Sequence, residues 1–218
     1  MGPANPDRRR FLLHAVIGAG LGGAVSAAPR AAEPRVGLAL GGGGAKGLAH
    51  VPMLELLDEL GIRPARVAGA SIGAVLGGLY CAGLSGRAIR RLIDDLIVNG
   101  GEAWSEALFE QDVLRWWEFF DTEPGRGGLL DPGNFVDFLR ERMGTDRFEA
   151  LAIPLSVVAT DFWAREQVVL EQGDLPSAIR ASMAVPGLFP PVERDGRILV
   201  DGGLVNPVPY DLLLEDCD

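Results

Sequence analysis

"RVAGASIGAVLGGLY", residues 66–80, joins two kinds of structure through one serine. "RVAGA" (66–70) is a short, mostly apolar run of strand length, and "IGAVLGGLYCAG" (72–83) is an apolar run of helix length. A strand that passes through a serine directly into a helix is the context of a nucleophile elbow, whose strained turn lifts the hydroxyl clear of the sheet. Gly69 and Gly73 complete G-x-S-x-G around Ser71 and remove side chains that would crowd the turn. The helix N-terminus adds a positive dipole at the same point.

The same grammar repeats upstream. "RVGLAL" (35–40) reads as a buried strand, "GGGGAKG" (41–47) as a turn, and "LAHVPMLELLDELG" (48–61) as a helix closed by Gly61. Strand, glycine turn and helix, twice over, predict a parallel sheet covered by helices. Further along, Ser85 is placed to cap a helix "GRAIRRLIDDLIVN" (86–99), and "DPGNFVDFLRERMG" (131–144) is amphipathic. "PLSVVATD" (154–161) and "QVVLE" (167–171) predict strands. "DLPSAIRASMAV" (174–185) predicts a helix capped by Asp174 with Pro176 in its first turn. "RILVDGG" (197–203) predicts a last strand, and "VPYDLLLED" (208–216) the start of a helix. Residues 100–126, with Trp104, Phe109, Trp116, Trp117, Phe119 and Phe120 among acidic neighbours, predict a helical insertion over the sheet.

The first glycine turn satisfies G-x-G-x-x-G through Gly42, Gly44 and Gly47. A dinucleotide site would need an acid near the end of the second strand, which here reads "VAGAS". A P-loop would need Ser or Thr after Lys, and Leu48-Ala49 follow Gly47 instead. Neither nucleotide reading is completed. What remains is a cradle of backbone N–H groups at a helix start, suited to an oxyanion, with Lys46 supplying positive charge.

A serine hydroxyl needs a base. The chain has two histidines, His14 and His50. His14 lies in the N-terminal leader, and His50 precedes the nucleophile and reads as a packing or supporting residue. The other candidate is Asp201, at the end of the apolar strand "RILV" and ahead of Gly202 and Gly203. Locally it stands equally well as a turn aspartate bonding its own backbone and as a buried carboxylate partnered by a serine.

Arg8-Arg9-Arg10, the apolar stretch from Phe11 to Ala28 and the small residues 25–28 predict a secretory leader over 1–28, with "RRRFLL" similar to the twin-arginine type. The expected location is therefore exported, periplasmic or extracellular, with an uncleaved membrane-anchoring leader as the alternative. The net charge is −10. The leader carries three arginines against one aspartate, which leaves about −12 for the remainder. An acidic body disfavours nucleic acid and gives no electrostatic pull toward anionic lipid. Cys81 and Cys217 have no metal-site spacing.

Taken together, Gly42–Gly47, Gly69–Gly73 and Asp201–Gly203, with "RASMAVPGLFPPV" (180–192) ahead of the last, resemble the patatin-like phospholipase family, especially its bacterial members. The resemblance runs from about Arg35 to the end. It implies a three-layer α/β/α fold with a mainly parallel central sheet, no metal and no cofactor. It implies a Ser71–Asp201 dyad hydrolysing lipid acyl esters without histidine, as a phospholipase A or lysophospholipase-type esterase. It also implies an oxyanion hole from Gly42, Gly43, Gly44 and Lys46. The expected partners are a lipid acyl-ester substrate and, transiently, a membrane, with no nucleic acid or nucleotide; the aromatic insertion is expected to line the acyl channel or touch the membrane, or to be ordinary helical core. Family chains usually continue past D-G-G/A through a helix into another apolar strand, whereas this sequence ends "NPVPYDLLLEDCD" (206–218). A C-terminally shortened domain is expected, and an inactive lipid-binding module is the alternative function.

Overall fold

The structure is a computed structural model that describes residues 34–99 and 133–217. The expected leader (1–28) and aromatic insertion (100–126) lie outside the described residues. The strands are β1 (Gly37–Leu40), β2 (Arg66–Ala70), β3 (Leu155–Asp161), β4 (Glu166–Leu170), β5 (Val192–Arg194) and β6 (Arg197–Asp201). The helices are α1 (His50–Glu59), α2 (Ile72–Cys81), α3 (Gly86–Asn99), α4 (Gly133–Met143) and α5 (Leu175–Ser182). Ser85 and Asp174 cap as expected: Ser85 Oγ accepts from Ala88 N, and Asp174 Oδ1 from Ser177 N.

The strands form one sheet in the order β1-β2-β3-β6-β5, with β4 also on β3. β1, β2 and β3 are parallel, and β4, β5 and β6 add antiparallel pairings. The sheet is thus mixed, where the sequence predicts a mainly parallel one. The reason lies in two hairpins. β3 returns as β4 through residues 162–165. β5, a strand the sequence reading does not anticipate, returns as β6 through Asp195 and Gly196, both at positive φ. Asp-Gly between two short strands is the strongest local hairpin signal, and "VERDGRILV" (192–200) contains it.

β2 and β3 are buried along nearly their whole length, as strands covered on both faces must be. One face carries α2 and α5, with Leu40, Leu76, Leu79, Ile179 and Leu199 fully buried. α2 lies close because Gly77 leaves room for Leu40, Val67 and Leu155. On the other face of β1 and β2 sits the C-terminal segment. Leu213 and Cys217 approach Gly37, and Arg66 pairs with Asp216. This segment forms one 3-10 turn (Tyr210–Leu213) rather than the expected helix, and it packs on β1 and β2 rather than beside the Asp201 strand. Two prolines, Pro207 and Pro209, restrict its entry and hold it off a regular ladder. Leu213 is the side chain it buries, while Val208 is half exposed.

Candidate active site

β3 has three neighbours and two edges. Val157 pairs with both Gly69 of β2 and Leu170 of β4, and Asp161 with both Glu166 of β4 and Leu199 of β6. β4 therefore occupies one edge, and β2 and β6 share the other. They run toward each other and stop on consecutive residues: Ala70 faces Val158, and Asp201 faces Ala159. The chain leaves β2 at Ser71. Two strand ends thus bring Ser71 and Asp201 together from distant parts of the sequence.

Ser71 has φ 53 and ψ −124. A left-handed φ at a non-glycine residue costs on the order of 1–3 kcal/mol and persists only where surroundings enforce it. Here the glycines of the motif do so sterically. A Cβ on Gly69 would lie 2.6 Å from the Gly73 carbonyl oxygen, and one on Gly73 would overlap the Leu40 carbonyl oxygen. The turn closes because neither residue has a side chain.

The glycine turn lies against this elbow. A Cβ on Gly42 would stand 3.3 Å from Ser71 Cβ, and one on Gly47 would collide with Ile72. Gly43 and Gly44 hold positive φ, 137 and 56. A 3-10 helix (Gly44–Ala49) begins with Lys46 N donating to the Gly43 carbonyl, so the Gly43 and Gly44 N–H groups fall outside its ladder. Gly42 differs, because its N–H donates to the Pro207 carbonyl at 2.9 Å. That bond removes Gly42 from the expected oxyanion donors and makes it a spacer. The Lys46 N–H is spent as well, which leaves only its exposed side-chain charge.

Asp201 is 6% exposed. Its Oδ1 accepts from Gly203 N at 2.7 Å, so the turn reading also holds. Oδ2 is buried without a partner in strict hydrogen-bond geometry among the described residues. Burial raises the Asp201 pKa, while the Ser71 hydroxyl and the Gly203 N–H pull it back down, and the net shift is upward. A buried carboxylate of raised pKa with one oxygen unpartnered is chemically suited to accept a proton. Gly202 is required by packing, since a Cβ there would overlap the Val158 carbonyl oxygen.

Residues 38–214 match the family model described as "Patatin-like phospholipase". The chain belongs to the patatin-like phospholipase family. It is 38% identical over 177 residues to an uncharacterised NTE family protein of Mycobacterium tuberculosis, covering 81% of this chain and 45% of that protein. It is 33% identical over 181 residues to the neuropathy target esterase of Drosophila melanogaster, covering 82% of this chain and 12% of that one. The chain therefore spans less than half the length of these curated relatives. Among solved structures, VipD from Legionella pneumophila superposes with a TM-score of 0.51 at 19% identity, covering 80% of this chain and 47% of that one. That likeness is one of fold, and it fits the three-layer arrangement.

Several residues that shape this patatin-like site have no prominent sequence signal. Ser182, fully buried, accepts from Ser71 N at 2.8 Å and donates to the Val158 carbonyl at 2.6 Å. Thr160 Oγ1 donates to the Asp201 carbonyl at 2.8 Å, and Asp201 N donates to the Ala184 carbonyl at 2.9 Å. His50 Nε2 lies 3.1 Å from the Gly41 carbonyl, supporting the glycine turn from α1. Cys81 is no rival nucleophile: burial pushes its thiol up to about 12.

Proposed function

We propose that this patatin-like domain hydrolyses acyl esters of lipids, as a phospholipase A or lysophospholipase-type esterase, with Ser71 as nucleophile and Asp201 as its base. The observation that carries the reading is the meeting of β2 and β6 on Val158 and Ala159, which sets a strained serine against a buried, incompletely satisfied carboxylate. Ser71 Oγ attacks the ester carbonyl carbon while Asp201 takes its proton. The carbonyl oxygen becomes an oxyanion facing the Gly43 and Gly44 N–H groups, with Lys46 adding charge. The carbon–oxygen bond to the alcohol then breaks, Asp201 returns the proton to the leaving oxygen, and the acyl group stays on Ser71. Water repeats the sequence with Asp201 as base, releasing the fatty acid and restoring the hydroxyl. The family membership and the esterase name of the fly relative support an acyl-ester substrate.

Transient membrane contact belongs to the same reading. The β3–β4 hairpin continues beyond Ala159, the partner of Asp201, and ends in Phe162 and Trp163. Trp163 is 76% exposed and stacks edge-on against Phe162. Leu204 and Val205, just after the Asp201 turn, are exposed too. Exposed apolar side chains at the tip of this hairpin and just after the Asp201 turn, with an amphipathic aromatic among them, suit a substrate drawn from a lipid surface. Export through the leader would place this chemistry outside the cytoplasm.

Labelling with a fluorophosphonate, together with turnover of a short-chain acyl ester, tests the reading. The unsubstituted protein is expected to label and turn over, and Ser71→Ala to do neither. An unlabelled, inactive unsubstituted protein would overturn it.

A further inference from the structure

Residues 182 to 184 run out from the last residue of α5 and touch both halves of the site within three positions. The Ser182 hydroxyl binds the Ser71 N–H, and the Ala184 carbonyl binds the Asp201 N–H. Ser182 is fully buried and held between two partners that fix the direction of its hydroxyl. Its proton goes to the Val158 carbonyl, so the oxygen lone pair is turned on the Ser71 N–H. Val158 is also the residue opposite Ala70, and its carbonyl is the atom that Gly202 approaches too closely for any side chain. The hydroxyl therefore ties the backbone of the strained serine to the point on β3 where the two strand ends meet.

We infer that Ser182 is a positioning residue, whose hydroxyl holds the Ser71 backbone in its left-handed turn and so sets the approach of Ser71 Oγ to Asp201. The inference rests on the reading of Ser71 as nucleophile. Two facts beyond the bond itself support a positioning role. Ser71 N–H is the first amide of the elbow, where the chain has left the β2 ladder and has not yet entered the α2 ladder, so no secondary structure holds it. Ala184, two residues on, also binds the Asp201 N–H, so this one segment is tied to both groups. Without the hydroxyl, the Ser71 amide and the Val158 carbonyl both lose a buried partner, and the turn is free to relax toward an ordinary φ.

The test compares Ser182→Ala with Ser182→Cys and Ser182→Thr in the full chain, measuring the fluorophosphonate inactivation rate constant, kcat and KM on a soluble short-chain ester, and the thermal midpoint. Ser182→Ala is expected to lower the inactivation rate constant and kcat at least tenfold with KM within threefold. Ser182→Cys keeps the volume but accepts hydrogen bonds poorly, and it is expected to lose the same amount, so it decides the matter if the alanine variant does not fold. Ser182→Thr keeps the hydroxyl and is expected to recover rates to within about threefold. Ile89→Val, in the buried face of α3 away from the site, controls for lost stability: at a comparable drop in midpoint it is expected to keep the unsubstituted rates. Unsubstituted rates in Ser182→Cys would overturn the inference while leaving the nucleophile assignment intact. Absence of labelling in the unsubstituted protein would remove both.

Discussion

Ser71 and Asp201 are placed by adjacent rungs of one strand, the first following Ala70 opposite Val158 and the second lying opposite Ala159. β2 arrives parallel to β3 and β6 arrives antiparallel, so their ends abut on a shared edge. The separation of the two side chains is therefore tied to the register of a fully buried strand. A one-residue slip of β2 or β6 would exchange the residues on its two faces and carry Ser71 or Asp201 off its rung.

Replacing Asp201 by Asn separates catalysis from stability. Loss of the base is expected to reduce kcat by about 10²–10⁴-fold. Stability should move the other way. Burial raises the Asp201 pKa, so the folded state keeps the proton to higher pH than the unfolded chain. The cost of the buried charge is absent below the ordinary value of 3.8 and grows as pH rises through the folded value. Asn carries no charge and still presents an oxygen to Gly203 N. A thermal midpoint at pH 7 equal to or above that of the unsubstituted protein is expected, and a lowered one would show that the carboxylate is stabilising.

The acid limb of kcat/KM should report this same carboxyl. In the proposed mechanism Asp201 acts in its ionised form, so the limb is expected above 3.8 and should be described by a single ionisation. His50 bonds the Gly41 carbonyl, and its loss removes one hydrogen bond worth about 1 kcal/mol. His50→Ala is expected to lower kcat/KM less than about tenfold and to leave the acid limb where it was. Disappearance of the limb in that variant would make histidine the base.

Glycines of the elbow and of ordinary turns should respond differently to alanine. Gly61 has φ +66 and open space around its missing Cβ, so Gly61→Ala is expected to cost only about 1–2 kcal/mol of conformational strain. Gly73→Ala drives a methyl into the Leu40 carbonyl and within 2.8 Å of the Gly41 carbonyl. It is expected to cost about 3 kcal/mol or more, a large share of a typical domain stability of roughly 5–15 kcal/mol. Denaturant unfolding of both variants checks the contrast, and equal losses would contradict it.

Trp163 should matter for substrate delivery and not for the chemical step. Trp163→Ala is expected to slow hydrolysis of a phospholipid in vesicles about tenfold, which corresponds to about 1.4 kcal/mol of interfacial contact. Turnover of a soluble short-chain ester should stay within about twofold. Equal loss on both substrates would assign Trp163 to the site itself.

The local grammar of this chain was sufficient for most of its elements, though not for β5 or for the 3-10 turn at Tyr210–Leu213. "RVAGA" fills β2 residue for residue, and Ser71 enters α2 where the glycine spacing places it. Asp174 and Ser85 act as caps because capping depends on a side chain and an amide three residues away. What depends on pairing between distant strands was not legible. The Val158–Ala159 meeting point joins residues 88 and 42 positions apart in sequence, Ala70 with Val158 and Ala159 with Asp201, and the loss of Gly42 to the Pro207 carbonyl joins a loop to the C-terminal segment. Ser182 was hidden for the same reason, since a serine at a helix end looks alike in sequence whether it faces solvent or holds the backbone of another serine. Asp201 shows the division most clearly. Its sequence neighbourhood allows a turn aspartate or a base, and it does bond its own turn through Oδ1. Only the packing of β6 against β3 buries this carboxyl at the end of β2, where loss of water raises the pKa and Oδ2 has no partner among the described residues.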